Sequence, residues 1–239
     1  MSEFKISESI DPLLRVTLGP NESVFAESNA MVAMQGNLTL KGRARGGLFQ
    51  SLARKFLNSE SLFEQKLQAD ENGGSALLAP NLPGALHVLE VGATQYKLSD
   101  GAFLAATENV SLSISRQSLG KALLANSGGL FVMATEGAGQ VVVSGFGSIQ
   151  ELTVRDDQPL IVDNGHVVAW DASLHHELSL NTTRSGFLGK LFHSQTTGEG
   201  IVLKFRGEGK VLVCSRNKGG FLQWIFGHLP KNKMVNNES

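Results

Sequence analysis

The chain has 239 residues, of which 41% are hydrophobic, 18% are charged and 27 are glycine, and its formal net charge is −1. Low charge with many glycines suits a compact β protein with tight turns better than a helical one, and near-neutrality argues against a general nucleic-acid binder, which carries a basic excess. The single cysteine, Cys214, excludes an internal disulfide and a cysteine-based zinc site.

The chain opens on Met1-Ser2-Glu3-Phe4-Lys5, which has neither the apolar core of a signal peptide nor the arginines of a transit peptide. No apolar run approaches the ~20 residues that span a bilayer. The expected compartment is the cytoplasm.

Three stretches then resemble one another. Residues 14–40 (LRVTLGPNESVFAESNAMVAMQGNLTL) and 86–112 (LHVLEVGATQYKLSDGAFLAATENVSL) align without a gap, and a third copy begins at Ile149 with small insertions. Each alternates apolar and polar residues, turns, runs apolar briefly and alternates again, the period of a half-buried strand. Asn29, Gly101 and Gly165 share one position before the apolar run. Asn and Gly tolerate positive φ, so this reads as the left-handed position of a tight turn.

Each copy continues with an arginine and a segment with apolar residues at helical spacing: Arg45-GGLFQSLARKFL, Arg116-QSLGKALL and Arg184-SGFLGKLF. A strand pair follows, split by Gly73 and Gly74, by Gly137 and Gly139, or by Gly207 and Gly209, and reads as a hairpin. The unit is thus about four strands with a short helical insertion. One unit of roughly 70 residues cannot bury both faces alone. Three sharing one core can, about an approximate three-fold axis within the chain. The expected organisation is a single all-β domain, a tandem-repeat sandwich or barrel, over residues 1–230. Its copies lie near 14–80, 86–145 and 149–215, and a disordered tail covers 231–239.

Several motifs are specific enough to name a relative. These are Ala30-Met31-Val32-Ala33-Met34, Glu60-Ser61-Leu62-Phe63, Leu78-Ala79-Pro80-Asn81-Leu82-Pro83-Gly84, Asp100-Gly101-Ala102-Phe103-Leu104-Ala105, Val162-Asp163-Asn164-Gly165-His166-Val167-Val168-Ala169-Trp170 and Gly198-Glu199-Gly200. On them the chain resembles the mitochondrial biogenesis family called altered inheritance of mitochondria, number twenty-four, over roughly residues 10 to 216. The resemblance implies a β fold similar to the tryptophan RNA-binding attenuation protein, arranged in tandem, with trimeric association. It links yeast relatives to the organisation of the mitochondrial inner membrane. It supplies no catalytic residue.

The residues that look chemical have plainer readings. His166 lies three residues after Asp163, but the aligned copies carry Ala30 and Ala102 there, which marks a scaffold position. In His175-His176-Glu177, alternation lets His175 and Glu177 share a face while His176 faces away, too few ligands for a metal. An exposed bulge or loop is expected there. Gly198-Glu199-Gly200 and Gly137-Ala138-Gly139 match no phosphate-binding loop. Cys214 aligns with Ser144 and reads as a small core residue. Lys41, Arg43, Arg45, Arg54 and Lys55 form a local basic cluster that reads as a solvated face. No catalytic, cofactor or metal residue is expected.

The apolar segments are the informative feature. Leu48, Phe49, Leu52 and Phe56 share a stripe if helical, as do Phe187, Leu188, Leu191 and Phe192, and Phe221, Trp224 and Ile225 close the chain. They either cap the β core or meet another subunit, a membrane surface or a protein partner. The expected function is a non-enzymatic structural or interaction protein that self-associates, as a trimer or another homo-oligomer. The alternative is a small-ligand or RNA-binding module, an argument from fold analogy.

Overall fold

A computed structural model describes residues 2–44, 63–117, 130–180 and 201–229. Most of the described residues are strand. After β1 (Glu3–Ile6), a first run of six comprises β2 (Leu14–Leu18), β3 (Ser23–Glu27), β4 (Met31–Met34), β5 (Leu38–Ala44), β6 (Phe63–Ala69) and β7 (Gly74–Leu78). A second run comprises β8 (Gly84–Val91), β9 (Tyr96–Ser99), β10 (Phe103–Thr107), β11 (Val110–Gln117), β12 (Leu130–Gly137) and β13 (Gly139–Phe146). A third comprises β14 (Ile149–Val154), β15 (Leu160–Asp163), β16 (Val167–Asp171), β17 (His175–Leu180), β18 (Ile201–Arg206) and β19 (Gly209–Cys214). Helix α1 (Lys218–His228) follows. Only short connections, residues 79–83 and 147–148, separate the runs.

The strand arithmetic differs from the sequence expectation of four per unit. Strands of four or five residues joined by tight turns read in the sequence as single longer strands. In β2 the burial alternates residue by residue, Leu14, Val16 and Leu18 inside and Arg15 and Thr17 outside, as a one-sided strand requires.

The pairing is antiparallel throughout the named strands and follows one scheme in each run. The first strand pairs with the sixth, and the sixth with the third (β2·β7·β4, β8·β13·β10, β14·β19·β16). The fourth pairs with the fifth, and the fifth with the second (β5·β6·β3, β11·β12·β9, β17·β18·β15). Each unit therefore contributes three strands to each of two sheets. The second strand of one unit then joins the third strand of the next: β3 pairs with β10, and β9 with β16. Two six-stranded sheets result, β5-β6-β3-β10-β13-β8 and β11-β12-β9-β16-β19-β14, each built from two successive units. The remaining halves stand as separate sheets, β1-β2-β7-β4 and β15-β18-β17.

This scheme corrects two expectations. The strands flanking each glycine turn do not form a hairpin: β6 and β7 belong to different sheets, as do β12 and β13, and β18 and β19. The turn is a corner between layers. At Gly137, φ is 100° and a Cβ would collide with the Asn109 carbonyl, so only glycine turns that corner. The hairpins are instead β5–β6, β11–β12 and β17–β18. Nor do the described residues share one core about a three-fold axis. The buried side chains form three clusters, the first joining Leu14, Val16 and Leu78 to Leu104 and Val142, the second joining Leu98 and Val141 to Val168 and Leu212. The third gathers Trp170, Leu203 and Phe205. Each junction has its own core because each sheet crosses it. No strand pair among the described residues leads from the third unit back to the first. Burying one such Leu or Phe side chain contributes roughly 1.5–3 kcal/mol.

Asn29 (φ 67°) and Gly101 (φ 74°) occupy the left-handed position foreseen for them. Gly165 does not. It lies in a short 3-10 turn, Asn164–His166, where its N–H donates to Asp163 Oδ1 at 2.7 Å. Its need for glycine is space, since a Cβ would collide with Asn217, the residue that caps α1.

Candidate functional site

Helix α1 begins where the Asn217 side chain accepts a hydrogen bond from the Gly220 N–H at 3.1 Å. Phe221 packs edge-on against Phe146, ring centroids 5.2 Å apart, and the Arg216 guanidinium sits 5.7 Å from the centre of the Phe146 ring. Beyond that foothold the helix stands in solvent, with Trp224 61% and Phe226 67% exposed and Leu222 exposed beside them. At 3.6 residues per turn, Trp224 and Phe226 lie about 200° apart, so covering one face cannot bury both. Residues 218–229 hold no acidic side chain, and Arg216 and Lys218 flank their start.

Of the apolar residues singled out in the sequence, Phe221 and Trp224 are thus exposed on one helix, with Ile225 half-buried beside them. Leu48, Phe49, Leu52, Phe56, Phe187, Leu188, Leu191 and Phe192 lie outside the described residues, as do the tail 231–239, Arg45, Arg54, Lys55 and Gly198-Glu199-Gly200. Lys41 is exposed on β5.

A second apolar surface was not foreseen. Met31, Val32 and Met34 of β4 are 37%, 55% and 37% exposed, and Ile161 of β15 is 60% exposed. The counterparts of the β4 residues are interior: Phe103, Leu104 and Ala106 on β10 and Val167, Val168 and Trp170 on β16 are all buried, whereas those of Ile161, Phe25 and Lys97, are half-buried. The difference lies in the neighbour. β10 and β16 have a strand on each side, whereas β4 and β15 are sheet edges. The sequence hides this because the apolar run reads alike in all three copies, and only position in the array separates them.

The polar residues singled out in the sequence make the following contacts. His166 Nδ1 donates to the Cys214 carbonyl at 2.7 Å, tying the 3-10 turn to the end of β19. His175 and Glu177 share a face, 3.3 Å apart, and both are exposed. They do not sit on a bulge or loop: β17 pairs with β18 residue for residue from His175 opposite Arg206. His176, facing away, meets Trp170 edge-on at 5.2 Å, and burial pushes its imidazole below the ordinary value. Cys214 is buried with its Sγ 3.2 Å from the Arg216 carbonyl, and burial pushes the thiol up, away from the thiolate.

Two open clefts mark the unit junctions. The first, about 1050 Å³, is lined by Glu3, Glu22, Glu90 and Glu108 together with Gln140. The Ser23 hydroxyl and the Lys66 ammonium, 3.0 Å away, hold the Glu108 carboxyl below its usual range. The second, about 680 Å³, is lined by Asp156, Asp157, Asp171 and Glu208 with Arg155 and Lys210. Burial raises the Asp171 carboxyl, opposed by the Lys210 N–H that it accepts at 2.9 Å. The carboxylates at both repel phosphate. Among the described residues no group of three metal-ligating side chains converges, and no helix is long and apolar enough to cross a membrane.

An all-β chain of antiparallel sheets with exposed apolar side chains on α1, β4 and β15 defines the class. The chain belongs to the mitochondrial biogenesis AIM24 family, whose model matches residues 4–216. It is 38% identical over 234 residues to an uncharacterised protein of Streptococcus pyogenes serotype M6, M6_Spy0233, covering 95% of this chain and 91% of that one. The crystal structure of protein SPYM3_0169 from Streptococcus pyogenes superposes with a TM-score of 0.78 at 34% identity, covering 96% of this chain and all of that one.

Proposed function

We propose that the protein is a non-enzymatic, cytoplasmic structural or interaction protein that self-associates and docks through α1 on a membrane surface or a protein partner. The observation that carries this reading is where the large exposed apolar side chains sit. Among the described residues, and apart from Ile10, they fall on α1 and the segment just after it or on the edge strands β4 and β15. A helix apolar on all sides is stable in water only at a cost that a partner removes. The cationic flank at Arg216 and Lys218 fits an anionic bilayer. Within this reading the units are successive copies of a fold similar to the attenuation protein, placed side by side.

Sedimentation with anionic vesicles tests the docking, and light-scattering mass tests the association. The expected result is binding that a Phe226→Glu substitution abolishes, with a blue shift of Trp224 emission in the unsubstituted chain. A monomer that ignores vesicles and captures no protein partner overturns the reading.

The recurrence of a cleft at both junctions favours a small-ligand module as the second reading. Their acidic lining points to a cationic ligand rather than RNA. A thermal-shift screen with amines and divalent cations separates it from the first, and no stabilising ligand would sink it.

A further inference from the structure

Helix α1 carries more apolar side chain than its place in the fold covers, and its composition says what covers it. The match to the family model ends at residue 216, and α1 runs from Lys218 to His228. Phe221 holds it edge-on to Phe146 of the β body, and none of its residues is buried. At about 100° per residue, Trp224, Phe221, Ile225, Leu229, Leu222 and Phe226 follow one another over about 200° of the circumference. A groove on a protein covers a stripe about 100° wide. Acyl chains close around whatever enters them, so they cover Trp224 and Phe226 together.

Charge selects among lipids. Residues 216–237 contain Arg216, Lys218, Lys231 and Lys233 and no aspartate or glutamate, a charge of +4 in a chain whose formal net charge is −1. The cations stand on both sides of the apolar segment in the sequence, and an anionic surface attracts such flanks. Length excludes spanning. The 11 residues of α1 make about 16 Å, half of the ~30 Å hydrocarbon core.

We propose that α1 is an interfacial anchor for an anionic lipid bilayer, lying along one leaflet at headgroup depth. This rests on the docking reading above and names its partner. The flanking cations hold both ends of the helix at the headgroups while the apolar arc enters the acyl boundary. Trp224, near mid-helix, then sits at the level where indole rings settle.

The test uses the full chain with vesicles of phosphatidylcholine alone and of phosphatidylcholine mixed with phosphatidylglycerol. Sedimentation should recover the chain with the mixed vesicles and leave it in solution with the others. Lys218→Gln should weaken the binding about fivefold, the loss of one cation near an anionic surface. Trp224→Ser should weaken it more than about tenfold. Both positions are exposed, so the melting temperature in solution should not move.

Depth is read with brominated lipids. Trp224 emission should fall most with bromines near the headgroups and least with bromines at the bilayer centre. Trp170, 1% exposed, stays out of reach of lipid. Greatest quenching at the bilayer centre, or equal binding to both kinds of vesicle, overturns the proposal. A chain that ignores the mixed vesicles also overturns it and leaves a protein partner for α1. Vesicle binding that Trp224→Ser and Phe226→Glu both leave untouched removes α1 as the docking element and takes the docking reading with it.

Discussion

At the residue scale, alignment of the copies separates two demands that a glycine meets. Gly101 has φ 74° with open space around its missing Cβ, and unit one carries Asn29 at φ 67° in the same place. Gly101→Ala should cost about 1 kcal/mol, the penalty of the left-handed region alone, and Gly101→Asn less. Gly137→Ala adds the collision with the Asn109 carbonyl and should cost roughly 3 kcal/mol. Urea denaturation of the three variants would show the ranking, and equal losses would refute it. His176 gives a pH signature. Burial first, then the charge of Lys97, lowers its pKa in the folded chain from the ordinary 6.5. Folding therefore favours the neutral ring. That contribution is complete above about pH 6.5 and is lost as pH falls through the lowered folded value. Melting temperature should drop over that range, and His176→Phe, which keeps a ring against Trp170, should flatten the drop. A variant as pH-sensitive as the parent would rule this out.

At the scale of elements, strand character and the copies were legible in the sequence, and strand partners were not. Period-two patterning in β2 or β11 follows from burial of one face, so it can be read directly. The glycines at 73, 137 and 207 mark turns correctly. A turn between two apolar strands, however, looks the same whether the strands lie side by side or in facing layers, and the hairpin reading chose the wrong one. The burial of Cys214 was legible because another copy holds Ser there, whereas the contact of His166 with the Cys214 carbonyl was not. The exposed edges were not, because exposure depends on a neighbour that the local sequence does not encode. Helix α1 was legible as an apolar segment, but its isolation was not. Asn217→Ala removes its cap and should cost about 1 kcal/mol of helix stability. Far-ultraviolet circular dichroism and Trp224 emission report it, and unchanged spectra on heating would show that the cap is dispensable.

At the scale of the molecule, part of the stability is held between units as well as inside them. Leu104 belongs to the second unit and sits, fully buried, in the cluster formed mainly by the first. Leu104→Ala should cost about 2–5 kcal/mol, the price of a cavity in a packed core. Hydrogen exchange should then speed up in β3 and β7 as well as in β10. Loss confined to the second unit would mean that the units fold independently. The short connections at 79–83 and 147–148 have a consequence for concentration. Units joined by so few residues meet one another at an effective concentration on the order of millimolar or above, whatever the amount of protein in solution. Dilution therefore leaves the two internal junctions intact, and any response to dilution belongs to contacts made between chains.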